Sequence, residues 1–226
     1  MNKKQNNRKE EYLWDILDNK ILEIIKKKAV NKKIIDLMCG DGYLLSEIRK
    51  DKLFLEGIDI SRRCINQAKQ NYPKINFICE DVFEWKPNKK YNIIICKNGL
   101  HNFPENKRKE LLKKIHKYIL SDNGFCIFGD PYIDDYSNEE KRRLSILKLY
   151  YETMCSTIKA DMEGEINDTI HNLFKDLMCH NEYKTSIEKI IPEFNEFFKI
   201  KEYKCVWPKD DRKTGYGHYY FICEKK

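Results

Sequence analysis

No apolar run in these 226 residues approaches the ~20 residues needed to cross a bilayer, which excludes a transmembrane helix. Glycine and proline are sparse, at 9 and 6 residues, and no Gly/Ser linker, low-complexity tract or internal repeat divides the chain. A single unit spanning 1–226, long enough to bury a core, is therefore expected. Met1 to Lys9 is polar and basic and lacks the apolar region of a secretory signal, so a cytoplasmic protein with no membrane partner is expected. The nine cysteines are odd in number and widely spread, with no C-x-x-C pair, which argues against a disulfide framework or a zinc site. Cys79, Cys96, Cys126, Cys205 and Cys223 fall in predicted strands, where a reduced thiol behaves as a small apolar residue.

One-sided charge is also scarce outside the N-terminus. Lys and Arg total 43 against 36 Asp and Glu, a net +7. Residues 1–33 hold ten of the bases and five of the acids, so +5 of the excess lies in an N-terminal arm. That is a poor match to the basic stripe of a duplex binder, whose pI usually exceeds ~9; here it is about 8.8. Nucleic acid is the weaker of the partner classes.

What is present is a run of alternating strand and helix patterns. Ile34-Ile35-Asp36-Leu37-Met38-Cys39-Gly40-Asp41-Gly42 reads as a buried strand, an acid and a glycine turn, and Tyr43 to Lys50 as the returning helix. Gly40 and Gly42 let the chain turn sharply and leave the backbone open to a ligand. Further strands are expected over 53–58, 75–79, 91–96 and 124–129. Asp59 closes the second, 17 residues after Gly42, near the ~20 at which a carboxylate meets ribose hydroxyls. Asp81 and Val82 follow the third, an acid for an exocyclic amine beside an apolar cover for a base. Five alternations imply a doubly wound, mostly parallel sheet with its ligand crevice at the carboxyl ends of the strands. A dinucleotide is disfavoured, because Leu45 stands where G-x-G-x-x-G needs its third glycine and an acid sits inside the turn.

This pattern resembles the class I S-adenosylmethionine-dependent methyltransferases, small-molecule branch, over about residues 30–130. Asp36-Leu37-Met38-Cys39-Gly40-Asp41-Gly42 matches their first motif, acid-x-Gly-x-Gly-x-Gly, with Met38 in place of the first glycine. The resemblance implies a seven-stranded Rossmann-like sheet with an antiparallel last strand. It also implies S-adenosylmethionine as cofactor, S-adenosylhomocysteine as product, and a cofactor site of Asp36, Cys39, Gly40, Gly42, Asp59, Ile60, Asp81, Val82, Lys97 and Asn98.

The flanks complete that plan. Leu13, Ile16, Leu17, Ile21, Ile24 and Ile25 mark an amphipathic helix within an N-terminal arm over 1–32, which would bring Tyr12 and Trp14 towards the pocket or simply pack on the sheet. A cofactor core is expected over 33–136, with Pro104 opening a helix that runs to Leu120. A helical insertion over 137–198, between strands five and six, would roof the crevice. In it Leu144, Leu147, Tyr151, Met154 and Ile158, then Ile166, Ile170, Leu173 and Leu177, repeat at helical spacing on either side of Gly164, and both stripes read as helix packing. Tyr132, Tyr150, Tyr151, His171, Phe174, Met178 and His180 become candidate acceptor contacts. Closing strands over 199–226, Lys201–Trp207 and Gly217–Glu224, would bring Trp207, Arg212, Tyr216 and His218 back to the cofactor side, unless their connection is only a solvated hairpin loop.

Methyl transfer to a hydroxyl or carbon acid gains from a general base, and His101, after strand four, is the candidate. It would equally serve to close the pocket or bind the cofactor's end. The base-amino signature of acid or Asn, two prolines and an aromatic is missing at Asn98-Gly99-Leu100, and Asp130 alone is a poor start for a metal site, so no metal is expected. The reading is an N- or O-methyltransferase of a small molecule. The alternatives are a tRNA-base methyltransferase using the basic arm, or a cofactor-binding partner subunit without activity.

Overall fold

The computed structural model describes residues 13–29, 32–48, 53–209 and 212–226. Seven strands, β1 (Lys33–Leu37), β2 (Phe54–Asp59), β3 (Asn76–Cys79), β4 (Tyr91–Lys97), β5 (Leu120–Tyr132), β6 (Phe198–Trp207) and β7 (Gly217–Lys225), form one sheet in the order β3-β2-β1-β4-β5-β7-β6. The first five run parallel, and β7 lies antiparallel between β5 and β6. Strand alternation sends neighbouring apolar residues to opposite faces. Ile35, Ile94, Cys96 and Phe128 join one buried cluster, whereas Ile34, Ile93, Ile95 and Ile127 join the other. A sheet covered on both sides explains the near-continuous apolar runs of β1 and β4.

Helices α2 (Tyr43–Glu47), α3 (Arg62–Asn71) and α4 (Glu105–Lys114) connect the parallel strands. Helix α1 (Leu13–Lys28) buries Leu13, Leu17, Ile21 and Ile25. It lies close over β5, where a Cβ on Gly129 would stand 3.2–3.3 Å from Ile21 and Leu17. That packing delivers Trp14 and Asp18 to the carboxyl edge of the sheet.

Three readings need correction. The segment after Pro104 is α4 followed by a π turn over Ile115–Ile119, and β5 already begins at Leu120. The insertion holds three helices, α5 (Glu139–Lys159), α6 (Ile166–Leu177) and α7 (Ile187–Phe197). The third carries Pro192 in its interior, a residue that normally ends a helix pattern. Finally, the stripe Leu144, Leu147, Tyr151 and Ile158 faces outward at 44–61 % exposure. The buried side of α5 is Ile146, Leu149, Tyr150, Thr153 and Thr157. Both sides of α5 are apolar enough to read as core, and the less obvious one, interrupted by threonines, is the one that packs.

A buried ion pair ties the roof to the core. Arg108 of α4 meets Glu193 of α7 through two bonds, Nε to Oε2 at 3.0 Å and Nη2 to Oε1 at 2.6 Å, and both residues are nearly inaccessible. Breaking such a pair strands a charge, whereas replacing both partners need not destabilise. Arg108→Ala is expected to lower the unfolding free energy by about 3–5 kcal/mol in urea titrations, and Arg108→Met with Glu193→Leu to recover most of it.

Candidate active site

The turn after β1 is held by a carboxylate. Gly40 N donates to Asp59 Oδ2 and Ser61 N to Asp59 Oδ1, each at 2.8 Å. Met38, Gly40 and Gly42 all take positive φ, at 59°, 55° and 76°, so Met38 occupies the left-handed conformation that a glycine would adopt freely at a cost of about 1–2 kcal/mol. Its side chain is accommodated by Gly99, where a Cβ would lie 2.5 Å from Met38 Cε. At Gly42 a Cβ would strike Phe77 Cζ at 2.5 Å, but at Gly40 it would meet no atom within 4 Å. Gly42 thus serves packing, and Gly40 faces open space. Beside them Cys39 is buried and remains a neutral thiol, its titration pushed up by that burial.

Acceptor atoms gather where β1, β2 and β3 end. Asp36 is 3 % exposed, and no hydrogen-bond donor reaches its carboxylate among the described residues. Burial pushes it up to about 8, against the opposing pull of Lys97. Lys97 itself is bound to Asp18 of α1, Nζ to Oδ1 at 2.6 Å, and burial holds Asp18 above its ordinary value. Asn98 has a positive φ and a buried Oδ1 with no partner among the described residues. Asp81 accepts from Phe83 N at 2.9 Å through one oxygen, next to buried Val82. Ile60, after Asp59, is 69 % exposed.

A second cluster lies at the tips of β4, β5 and β7. His101 contacts Asp130 through Nδ1, and Leu100 N donates to the other Asp130 oxygen at 3.0 Å. His101 Nε2 stands 3.5 Å from Glu182 Oε2, and the His101 carbonyl accepts from Tyr183 N at 2.6 Å. Lys184 Nζ donates to Glu182 at 2.6 Å and to Tyr150 Oη at 2.9 Å, and lies 3.3 Å from Asp176. Asp176 is bound in turn by Arg142 at 3.0 Å. His218 packs edge-on against Trp14 and Trp207, at 4.6 and 5.5 Å between ring centres. It is kept neutral, lowered to about 3 by burial and by the nearby Lys184, His101 and Lys97.

The sequence-derived residues thus divide. The cofactor set, together with His101, Trp14, Trp207 and His218, lies along one sheet edge. Tyr151, the exposed His171 and Phe174 are on outward helix faces, and Met178 and His180 are exposed in the turn after α6; Tyr150, one position from Tyr151, points inward. Tyr132 turns into the core against Tyr219 and Phe221. Arg212 stacks on Tyr216 of its own loop. Tyr12 lies outside the described residues. Asp130 and Glu182, and Lys184 behind Glu182, are the surroundings of His101 that the sequence did not reveal, Asp130 lying 29 residues from it; an acid ending β5 beside a histidine after the adjacent β4 was the available signal. A cleft of about 530 Å³ between Arg108, Tyr136, Lys184 and Lys189 does not include His101.

With this geometry in hand, the profile of the methyltransferase domain family matches residues 7–167, and the chain belongs to that family. The chain is 36% identical over 70 residues to a putative methyltransferase, 235L, of Invertebrate iridescent virus 6, covering 30% of this chain and 26% of that one. It is 30% identical over 82 residues to a ubiquinone biosynthesis O-methyltransferase of Coxiella burnetii, covering 34% and 35%. These matches span only about a quarter to a third of the relatives' own length. The fold is similar to that of the N-methyltransferase NodS of Bradyrhizobium japonicum in complex with S-adenosyl-L-homocysteine, at TM-score 0.61 and 13% identity over 92% of this chain and 85% of that one. The cofactor of this fold and family is S-adenosylmethionine.

The two glycines separate by experiment. Gly42→Ala, clashing with Phe77, is expected to lower stability by about 2–4 kcal/mol in chemical denaturation. Gly40→Ala is expected to lose only ~1–2 kcal/mol while weakening S-adenosylhomocysteine binding at least tenfold by calorimetry. Native Asp36 titrates above its unfolded value of 3.8, so the stability it contributes is full below that pH and is lost as pH rises to about 8. His218 is displaced the other way, contributing stability above 6.5 that is lost as pH falls towards 3. Between pH ~6.5 and ~8 only Asp36 of the two has a slope. In that window unfolding free energy of the ligand-free protein should fall with pH, and Asp36→Asn should flatten it.

Proposed function

We propose that the protein is an S-adenosylmethionine-dependent methyltransferase acting on a hydroxyl or amino group of a small molecule, with His101 as general base. The observation that carries the cofactor half is the open space above Gly40, flanked by acids. The ligand's chemistry matches them: Asp59 and Asp81 offer oxygens to ribose hydroxyls and an exocyclic amine, and Ile60 and Val82 offer apolar cover to the base. Asp36 and the unpartnered Asn98 oxygen together ask for a donor, which the ligand's ammonium group supplies. Lys97 is placed to meet its carboxylate. When bound, the cofactor contributes an electrophilic methyl on a positively charged sulfur, with a neutral thioether as leaving group.

The protein's part is positioning and one proton. With Nδ1–H directed to Asp130, His101 keeps Nε2 for the acceptor's proton as the acceptor's lone pair takes the methyl. The imidazolium so formed sits between Asp130 and Glu182, whose charge Lys184 balances. Trp14, Trp207 and His218 form an aromatic wall beside this base, suited to a flat acceptor. The segment over 137–198 supplies Tyr150 from α5 and Lys184 from the loop before α7 to the same edge and serves as a roof that keeps water out. The O-methyltransferase named among the relatives agrees with a base-assisted acceptor.

The test is to incubate the protein with methyl-labelled S-adenosylmethionine and fractionated cell extract. Label is expected in a low-mass fraction, with His101→Gln and Asp130→Asn lowering kcat about 10²–10⁴-fold and leaving cofactor affinity unchanged. Label confined to RNA would contradict the small-molecule reading, and no label in any fraction would contradict catalysis.

A further inference from the structure

Helix α5 is apolar on two opposite sides, and only one is covered. Its inner side packs on Leu13, Ile133 and Trp207. Its outer side presents Leu144, Leu147, Tyr151 and Ile158 at 59, 44, 61 and 51 % exposure, with half-buried Met154 among them. A helix apolar all round is ordinarily buried. The spacing of the outer set is also specific. Positions 144, 147, 151, 154 and 158 alternate steps of three and four over two heptads, the a/d repeat of a seam that receives another helix rather than the broader stripe that packs on a sheet. From this we infer that the outer side of α5 packs against the same side of a second copy of this chain, joining two protomers about a two-fold axis through a helix seam.

The charges beside the seam favour a protein over a lipid surface. Arg143 is paired with Glu139 at 3.3 Å and Lys148 with Asp134 at 2.6 Å. A helix that lies on an anionic bilayer is rich in free cations beside its apolar stripe; here Arg143 and Lys148, two of the four exposed cations of α5, are already paired. The neighbouring α6 and its cap residue add Ile170, Phe174 and Met178 at 38, 61 and 76 % exposure. Together with α5 they expose seven large apolar side chains per copy, an apolar centre of the kind that a standard interface of ~800 Å² per partner surrounds with a polar rim. Self-complementary two-fold contacts are the commonest way identical chains associate.

Sedimentation equilibrium on the full chain tests this. At about 10 µM the wild-type protein is expected at twice 27.3 kDa. Leu147→Glu with Tyr151→Glu, both exposed within the protomer, is expected to sediment as a single chain with unchanged far-ultraviolet circular dichroism, the dissociation constant rising at least ~100-fold. If that spectrum changes, Leu144→Lys takes the pair's place. A wild-type protein that stays monomeric at about 100 µM, or a dimer indifferent to these substitutions, would overturn the inference. So would a monomer that floats with phosphatidylglycerol vesicles only while Leu147 and Tyr151 are intact, since the occupant would then be lipid.

Discussion

A single carboxylate at the tip of β2 organises the crevice. Asp59 accepts backbone N–H groups from both sides, Gly40 on the first turn and Ser61 at the start of α3, and thereby sets the distance between the ends of β1 and β2. The turn it clasps is strained at Met38, tight at Gly42 and empty above Gly40. Without that clasp, nothing would keep the three alternate positive-φ positions in place and the backbone of Gly40 open to the crevice. Everything assigned to the cofactor side, from Asp36 to Asp81, is arranged around the space so held.

The acceptor side follows a different economy. Its charges are buried in pairs and chains, His101 with Asp130 and Glu182 with Lys184, Asp176 and Arg142, as Lys97 is with Asp18 on the cofactor side. Taking so many ions from water seldom adds stability. Their arrangement instead fixes ring and ammonium positions to within hydrogen-bond tolerances, and α1, β4, β5, α5 and α6, with the turn after β4 and the loop before α7, each contribute a member. The segment between β5 and β6 is therefore more than a cover, since its residues complete the surroundings of His101.

The sheet was legible because the first three parallel strands are short, apolar and ended by an acid, a pattern local enough to read at Asp36, Asp59 and Asp81. Cofactor-side residues could be named for the same reason, as they lie within a few positions of a strand end. Partners of His101 could not, because Asp130 and Glu182 reach it through strand pairing and a loop from the insertion, 29 or more residues away. Tyr150 and Tyr151 could not be told apart for a subtler reason. Both sides of α5 carry an apolar repeat, and composition says nothing about which one meets the protein's own core. Tyr132 misled in the same way, since an aromatic at a strand end can face the crevice or the core, and β7 pulls this one inward.

The account stands or falls on the ligand held at the strand tips. Isothermal titration of the purified chain with S-adenosylhomocysteine should give saturable heat at a 1:1 ratio, with Asp59→Ala abolishing it and NAD giving none. Absence of heat from the native chain, or binding indifferent to Asp59→Ala, would contradict it.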